Sequence, residues 1–173
     1  MKEIIRYGLI LTLICAVSAG LLAGVNMLTK PRIIAQKVSE EKAALEEVMP
    51  QAEKFEKVNE GKDLEYYKAF DKSGMFLGAV FKASAKGYSS TIDLLAGILK
   101  NGTITAIKVI SQNETPGLGS QVSEQKFTGQ FAGKDSALMD VQAITGATIS
   151  SRAVINCVKE RAKEIKTLIA NEK

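Results

Sequence analysis

An uncharged apolar run at residues 8–28, GLILTLICAVSAGLLAGVNML, constrains the fold more than any other feature of this chain. A helix needs about 20 apolar residues to cross the hydrocarbon core of a bilayer, so this run is long enough to span a membrane. A cleaved signal peptide is the alternative, because Lys2 and Arg6 precede the run. The run is longer than the usual apolar region of a signal peptide and ends without a clear cleavage motif, which favours an uncleaved anchor.

Small residues share one face of this predicted membrane helix. Ala16, Gly20 and Gly24 are spaced by four, and small residues at that spacing let another helix approach closely. The pattern therefore predicts packing against another membrane protein of a complex. Basic residues flank both ends of the run, so charge alone does not predict which end is inside the cell.

A stalk helix is predicted to follow the membrane segment. The pattern becomes helical from Pro31, because proline suits the first turn of a helix, and Pro50 ends it. Apolar residues keep helical spacing between the two prolines, at Ile34, Val38, Leu45 and Val48.

Four strand segments predict an antiparallel sheet. Leu64–Phe70 and Met75–Lys82 are separated by the turn sequence DKSG, and Thr91–Leu99 and Thr103–Ile110 are separated by KNG. A short helix or turn is predicted near Phe127 and Phe131, and a final helix from about Ser151. The apolar stripe of that helix contains Val154, Cys157, Val158, Ala162, Ile165 and Leu168. The predicted fold class is α+β, an antiparallel sheet with packed helices.

Composition excludes several kinds of function. The 23 basic and 19 acidic residues are spread along the chain, and no basic patch with interleaved aromatic residues suggests a nucleic-acid partner. The chain has no histidine, which removes His-dependent metal sites and the usual general base for a Ser or Thr nucleophile. Cys15 and Cys157 lie in separate apolar patterns and are interpreted as small packed side chains.

Four hydroxyl side chains cluster in the segment AITGATISS, residues 143–151, just before the last helix. A helix N-terminus presents unpaired N–H groups and the positive end of the helix dipole, and it commonly binds phosphate. Ser150 or Ser151 can cap the helix, whereas Thr145 and Thr148 are not needed for capping. The chain has neither a Walker A loop nor a base for a nucleophilic threonine, so the hydroxyl is predicted to receive a group from another enzyme.

Three segments resemble one family of flavoproteins. TGATISS at 145–151 resembles the flavin-attachment motif of the G subunit of the Rnf ion-translocating oxidoreductase and of the C subunit of the sodium-translocating NADH:quinone oxidoreductase. ETPGLG at 114–119 resembles a second motif of these families, and GYSSTIDLLAGI at 87–98 resembles the opening of their flavin domain. The N-terminal membrane helix agrees with the resemblance.

The resemblance implies a covalent FMN cofactor, linked through its phosphate to Thr148, the last residue of the Gly-Ala-Thr triplet. It implies no catalytic residue and no metal site. The cofactor-binding residues that it implies are Thr145, Gly146, Ala147, Thr148, Ser150 and Ser151 in one segment and Glu114, Thr115, Gly117, Leu118 and Gly119 in the other.

The resemblance also implies a domain organisation and a set of partners. We expect a short cytoplasmic tail at 1–7, a transmembrane helix at 8–28, a stalk helix and linker at 29–57, and an extracytoplasmic FMN-binding domain at 58–173. The implied function is electron relay through FMN within an Rnf complex that couples ferredoxin and NAD to ion movement. The implied partners are the other membrane and iron–sulfur subunits and a flavin transferase.

Two positions depart from the family pattern. Gln142 stands where an acidic residue is expected, six positions before the acceptor, and this bears on transfer of the flavin. Gln112 stands where a histidine is expected, close to the ring. Three alternatives remain open: the C subunit of the quinone-reducing pump, a membrane-anchored flavin module that serves a regulator or reductase outside a pump, and a structural assembly protein in which the hydroxyl cluster only caps a helix.

Overall fold

The computed structural model of the chain describes residues 2–60, 64–138 and 140–170. It contains two compact units, Met1–Lys42 and Ala43–Lys173. The helix α1 (Lys2–Val48) accounts for the first unit and contributes its last residues to the second.

The first unit is a helix with an apolar surface, as in helices that contact lipid. Within Glu3–Val48 the mean hydropathy reaches 2.3, and this helix is long and apolar enough to cross a membrane. Large apolar side chains such as Leu22 and Leu28 are 77% and 78% exposed. The hydroxyls of Thr12 and Thr29 donate to carbonyl oxygens one turn earlier, each over 2.9 Å, so they need no partner outside the helix. By length and composition, this helix can therefore anchor the chain in a membrane.

Pro31 lies inside α1 and does not begin a new helix, which corrects the expectation of a separate stalk helix. Proline removes only one backbone donor, and the hydrogen bonds on either side keep the helix continuous. The predicted end is confirmed, because α1 stops at Val48, two residues before Pro50.

The second unit contains a five-stranded antiparallel sheet in which each strand pairs with its neighbours in sequence. The strands are β1 (Lys54–Glu60), β2 (Leu64–Phe70), β3 (Phe76–Lys86), β4 (Thr91–Leu99) and β5 (Ile104–Ser111). The predicted antiparallel sheet and both predicted hairpins are confirmed. Side chains fix both turns: Asp71 accepts the N–H groups of Ser73 and Met75, and Asn101 accepts that of Thr103. The edge strand β1 was not predicted, because its sequence KFEKVNE is mostly charged.

The helix α3 (Thr148–Ile169) covers one face of the sheet. Its buried stripe packs on β3 and β4 and contains Val154, Val158, Ala162, Ile165 and Ile169. The predicted stripe is confirmed at four of these positions, while Cys157 and Leu168 are only partly buried.

The end of α1 covers the opposite face. Leu45, Val48 and Met49 are buried there in one cluster with Val80 and Leu95 of the sheet. The hydroxyl of Thr105 on β5 also donates to the carbonyl oxygen of Val48 over 2.6 Å. The second unit therefore includes residues 43–57, which the sequence pattern assigned to the stalk and linker.

Short helices connect β5 to α3. They are two 3₁₀ helices, Gly119–Ser123 and Gly129–Phe131, and the single-turn helix α2 (Gln125–Thr128). The rings of Phe127 and Phe131 meet edge to face at 5.4 Å within the core, in agreement with their predicted common face. This packing anchors the connection that brings the hydroxyl-rich segment to the start of α3.

Candidate functional site

The hydroxyl-rich segment forms a tight loop that opens α3. The helix begins at Thr148, about one turn earlier than the sequence pattern predicted. The N-cap residue is Ala147, which has no side-chain oxygen, so the expected cap by Ser150 or Ser151 is wrong. Both serines lie within the first turn and are buried. The hydroxyl of Ser151 donates to the carbonyl oxygen of Ala147 over 2.8 Å and accepts the N–H of Ile144 over 3.1 Å.

The start of α3 is well suited to an anion. The first N–H groups of a helix have no carbonyl partner within the helix, and here no side chain caps them. The helix dipole adds partial positive charge at the same end. Thr148 is exposed at this point, and Arg152 is exposed one turn later on the same side of the helix. A phosphate group would therefore find N–H donors, a positive field and a guanidinium nearby.

Gly146 shapes the loop through its backbone. Its φ angle of +82° lies in the left-handed region, which glycine adopts without the steric cost that a Cβ imposes. The position has space for a Cβ, since the nearest atom would be Cδ2 of Leu118 at 3.6 Å. The need for glycine here is therefore conformational.

A cavity of about 430 Å³ lies between this loop and the loop that follows β5. Its volume falls within the usual range for small-molecule and cofactor sites. The cavity is lined by Tyr88, Thr115, Leu118, Gly119, Gly146, Ala147, Thr148, Ile149 and Ser150. Seven of these residues were expected at the site, and the structure brings them together from two separate segments.

Apolar side chains make up the open walls of this cavity. Tyr88, Leu118 and Ile149 are 73%, 49% and 58% exposed, which is unusual for such large apolar groups outside the membrane helix. Tyr88 and Ile149 were not predicted as site residues, although both lie within the segments that carry the family resemblance. The signal that could have identified them is local: Tyr88 and Ile149 are large side chains next to small polar residues, where no apolar stripe explains them.

Glu114 is buried beside the cavity and is 5% exposed. Burial raises the pKa of its carboxyl group, but hydrogen bonds from the Ser150 hydroxyl and from the backbone N–H groups of Ser90, Ser89 and Tyr88 outweigh burial, so the pKa is lowered overall. Glu114 is thus a carboxylate at neutral pH.

The other expected residues lie at the margins of the site. Thr145 lines a second cavity of about 390 Å³, on the side of the loop that carries Gln142. The backbone N–H of Gly117 donates to the hydroxyl of Ser120, which closes the turn of the loop after β5. Gln112, in place of the expected histidine, accepts the N–H of Glu114 over 2.7 Å.

The described residues fit FMN in three respects. The uncapped helix end suits the phosphate, the exposed Thr148 hydroxyl offers an oxygen for a covalent bond, and the apolar walls suit a flat heteroaromatic ring.

Comparison with known proteins decides the family. A family model described as FMN-binding domain matches residues 87–163, which include the cavity walls and the start of α3. A second model, described as RnfG N-terminal region, matches residues 1–48, the extent of α1. This chain belongs to the RnfG family. It is 36% identical to the G subunit of the ion-translocating oxidoreductase complex of Methanosarcina acetivorans, over 91% of this chain and 92% of that protein.

Two further relatives differ in the ion that their names specify. The G subunit of the proton-translocating ferredoxin:NAD(+) oxidoreductase complex of Clostridium ljungdahlii is 34% identical to this RnfG family member. The Na(+)-translocating counterpart of Acetobacterium woodii is also 34% identical, and both alignments cover 91% of this chain and 89% of the relative. Members of the family are thus subunits of ion-translocating oxidoreductase complexes.

Two solved structures share the fold. NqrC from Shewanella oneidensis superimposes with a TM-score of 0.53 at 20% identity, over 69% of this chain and 74% of that one. The C subunit of the Na(+)-translocating NADH-quinone reductase from Parabacteroides distasonis also has a TM-score of 0.53, at 18% identity, over 70% and 79% of the two chains. The α+β fold of this RnfG family member is therefore shared with these two structures.

Proposed function

We propose that this chain is the electron-relaying flavoprotein subunit of an Rnf complex and carries FMN in a phosphoester bond to Thr148. One observation carries the proposal: Thr148 is an exposed residue at a helix N-terminus that no side chain caps, and it lines a cavity with apolar walls. This arrangement occurs within the segment that matches the FMN-binding domain model.

Thr148 is the best acceptor among the four hydroxyls of the loop. Ser150 is 1% exposed and donates to Glu114, and Ser151 is 0% exposed and donates to the carbonyl oxygen of Ala147. Thr145 is exposed but lines the other cavity. Thr148 alone of the four is both exposed and on the wall of the cavity that Tyr88 and Leu118 border.

The linkage requires another enzyme. A flavin transferase would join Oγ1 of Thr148 to the phosphorus of the FMN moiety of flavin adenine dinucleotide and break the phosphoanhydride bond of this donor. Adenosine monophosphate would leave, and the transferase would accept the hydroxyl proton. This chain contains no histidine to accept that proton, and the described residues near Thr148 offer no free carboxylate, because Glu114 is buried and saturated with donors.

The bound flavin would supply the redox chemistry, namely acceptance and release of electrons. The residues of this chain would hold the group: the N–H groups at the start of α3 and Arg152 would bind the phosphate, and the apolar cavity walls of Tyr88, Leu118 and Ile149 would accommodate the ring. The electron donors and acceptors of this chain would be other subunits of the complex, iron–sulfur subunits among them. Two relatives are named as subunits of ferredoxin:NAD(+) oxidoreductase complexes, which supports a role in electron transfer.

The decisive experiment replaces the acceptor hydroxyl and keeps its shape. Thr148→Val in the full-length chain, produced with a flavin transferase, is expected to abolish the flavin fluorescence that survives denaturing electrophoresis. Thr145→Val is the matched control and should retain the fluorescence. Fluorescent Thr148→Val protein, or a mass spectrum that assigns the flavin to another residue, would refute the assignment.

We also propose that the flavin domain lies outside the cytoplasm, as the family resemblance implies. Lys72 in the turn before β3 has an 82% exposed side chain, which makes it a suitable labelling position. In a variant with both native cysteines replaced by alanine, Lys72→Cys should react with an impermeant thiol reagent in whole cells. Labelling only after lysis would mean that the domain faces the cytoplasm.

A further inference from the structure

Glu114 is a buried carboxylate whose donors are backbone N–H groups and the hydroxyls of Ser90 and Ser150. Its Oε1 atom accepts the N–H groups of Ser89 over 3.0 Å and Ser90 over 2.8 Å, and also the hydroxyl of Ser90 over 3.3 Å. Its Oε2 atom accepts the N–H of Tyr88 over 3.2 Å and the hydroxyl of Ser150 over 2.6 Å. Among the described residues no lysine or arginine forms an ion pair with it. Because a buried charge must be compensated, these hydrogen bonds are what keep Glu114 ionised in place.

Three segments that are distant in sequence meet at this carboxylate. They are the loop before β4, the loop after β5 and the first turn of α3. Two glycines leave the space that the carboxylate occupies. A Cβ on Gly87 would lie 2.5 Å from Oε1, and a Cβ on Gly119 would lie 2.7 Å from Oε2. The Glu114 carboxylate therefore occupies a space that only glycine at both positions 87 and 119 leaves open.

The hydrogen bond to Ser150 joins the first turn of α3 to the buried carboxylate. Residues two apart on a helix point roughly 200° apart, so a Ser150 side chain held inward directs Thr148 outward. The exposures agree, since Ser150 is buried and Thr148 is exposed on the cavity wall. The Ser150 hydroxyl also donates its hydrogen bond to Glu114, so it does not compete with Thr148 as the residue that receives the flavin.

We propose that Glu114 is the positioning residue of the flavin-acceptor site: through Ser150 it holds the first turn of α3 so that the Thr148 hydroxyl faces the cavity. The inference rests on the proposed function, because it takes Thr148 as the acceptor. It goes further in giving the buried carboxylate a role in attachment and in ordering the bound flavin, although Glu114 itself does not border the cavity.

The test removes, one at a time, two hydrogen bonds of equal length between a serine hydroxyl and a carboxylate. Ser150→Ala removes the hydrogen bond to Glu114 and leaves the three backbone donors of the carboxylate in place. The matched control is Ser84→Ala, which removes a 2.6 Å hydrogen bond to Asp93 on the exposed surface of the sheet. Glu114→Gln and the double variant Glu114→Gln/Ser150→Ala complete a cycle that measures whether the two residues act together.

The measurement uses full-length apo-protein in detergent with a purified flavin transferase and a flavin dinucleotide donor. In-gel fluorescence after denaturation gives the rate of attachment, and visible circular dichroism reports how rigidly the attached flavin is held. Thermal unfolding of each variant identifies general damage to the fold. A role limited to stability would lower the unfolding temperature without changing the visible dichroism of the flavin at a temperature where the variant is folded.

We expect Ser150→Ala to slow attachment by about tenfold, the effect of losing one hydrogen bond to a charged group, and to weaken the visible dichroism. Ser84→Ala should match the parent. The double variant should be no slower than the slower single variant. Parent-like rate and dichroism in Ser150→Ala, or additive effects in the double variant, would overturn the positioning role while attachment to Thr148 stands. A parent protein without denaturation-resistant flavin would overturn both proposals.

Discussion

The end of α1 should be indispensable to the soluble domain. A fragment of residues 43–173 contains the whole second compact unit, whereas a fragment of residues 58–173 follows the boundary expected from the sequence. The shorter fragment lacks Leu45, Val48 and Met49, which cover one face of the sheet, and it also lacks the first half of β1. We expect the longer fragment to fold and the shorter one to be largely unfolded.

The magnitude follows from burial. Leu45 is 5% exposed, and Val48 and Met49 are both 0% exposed. Full burial of such a side chain contributes about 1.5–3 kcal/mol, so the three together contribute about 5–9 kcal/mol. A domain of this kind has a total unfolding free energy of about 5–15 kcal/mol. Loss of these three side chains would therefore remove most of the unfolding free energy of the domain.

Urea unfolding followed by far-ultraviolet circular dichroism tests the prediction. The fragment of residues 43–173 should unfold in one cooperative transition, and the fragment of residues 58–173 should show none. In the longer fragment, Met49→Ala should lower the unfolding free energy by about 2–5 kcal/mol, while Gln51→Ala at an exposed position should change it by less than about 0.5 kcal/mol. Equal midpoints for the two fragments would show that the α1 packing contributes little.

Three further predictions concern single positions. Gly146→Ala should destabilise the domain by roughly 1–2 kcal/mol and reduce flavin loading, because φ is +82°, whereas Gly129→Ala at φ −65° should not; urea unfolding and in-gel fluorescence measure both. Gly20→Leu should lower the yield of intact complex but leave the flavin domain folded and loaded, because among the described residues a Cβ there meets nothing within 4 Å beyond its chain neighbours and the nearby backbone of its own helix; normal yield would exclude packing at this face. The lowered pKa of Glu114 means that its charge stabilises the fold above the unfolded-state value of about 4.3, and that this stabilisation is lost as pH falls through the lower folded-state pKa. The difference in unfolding free energy between the parent and Glu114→Gln should accordingly shrink in acid. A difference that stays constant with pH would contradict a lowered pKa of Glu114.

Local sequence signals predicted the regular parts of the fold. The hairpin turns were identifiable because DKSG and KNG contain side chains that bond to their own turns, as Asp71 and Asn101 do. The stripe of α3 was identifiable from helical periodicity. β1 was not, because a charged edge strand is stabilised by its pairing with β2, and that pairing leaves no apolar alternation in the sequence.

The errors at the site have a tertiary cause. Ser150 and Ser151 look like capping residues in isolation, but Gly146 turns the chain so that the helix starts at Thr148. Ser150 then meets Glu114, a residue 36 positions away in sequence. Contacts between residues so far apart in sequence depend on how the loops pack on the sheet. Neither hydrophobic periodicity nor a capping rule predicts that packing.

The structure also answers an electrostatic difficulty of the proposed linkage. A phosphodiester on Thr148 would add a negative charge close to the Glu114 carboxylate, and like charges at one helix end repel each other. The two groups use different donors. Glu114 accepts N–H groups of the loop before β4 and the hydroxyls of Ser90 and Ser150, and it accepts none of the first N–H groups of α3. Those N–H groups, with Arg152, stay available for a phosphate. A single helix end can therefore hold its positioning carboxylate and a phosphate without competition for the same donors.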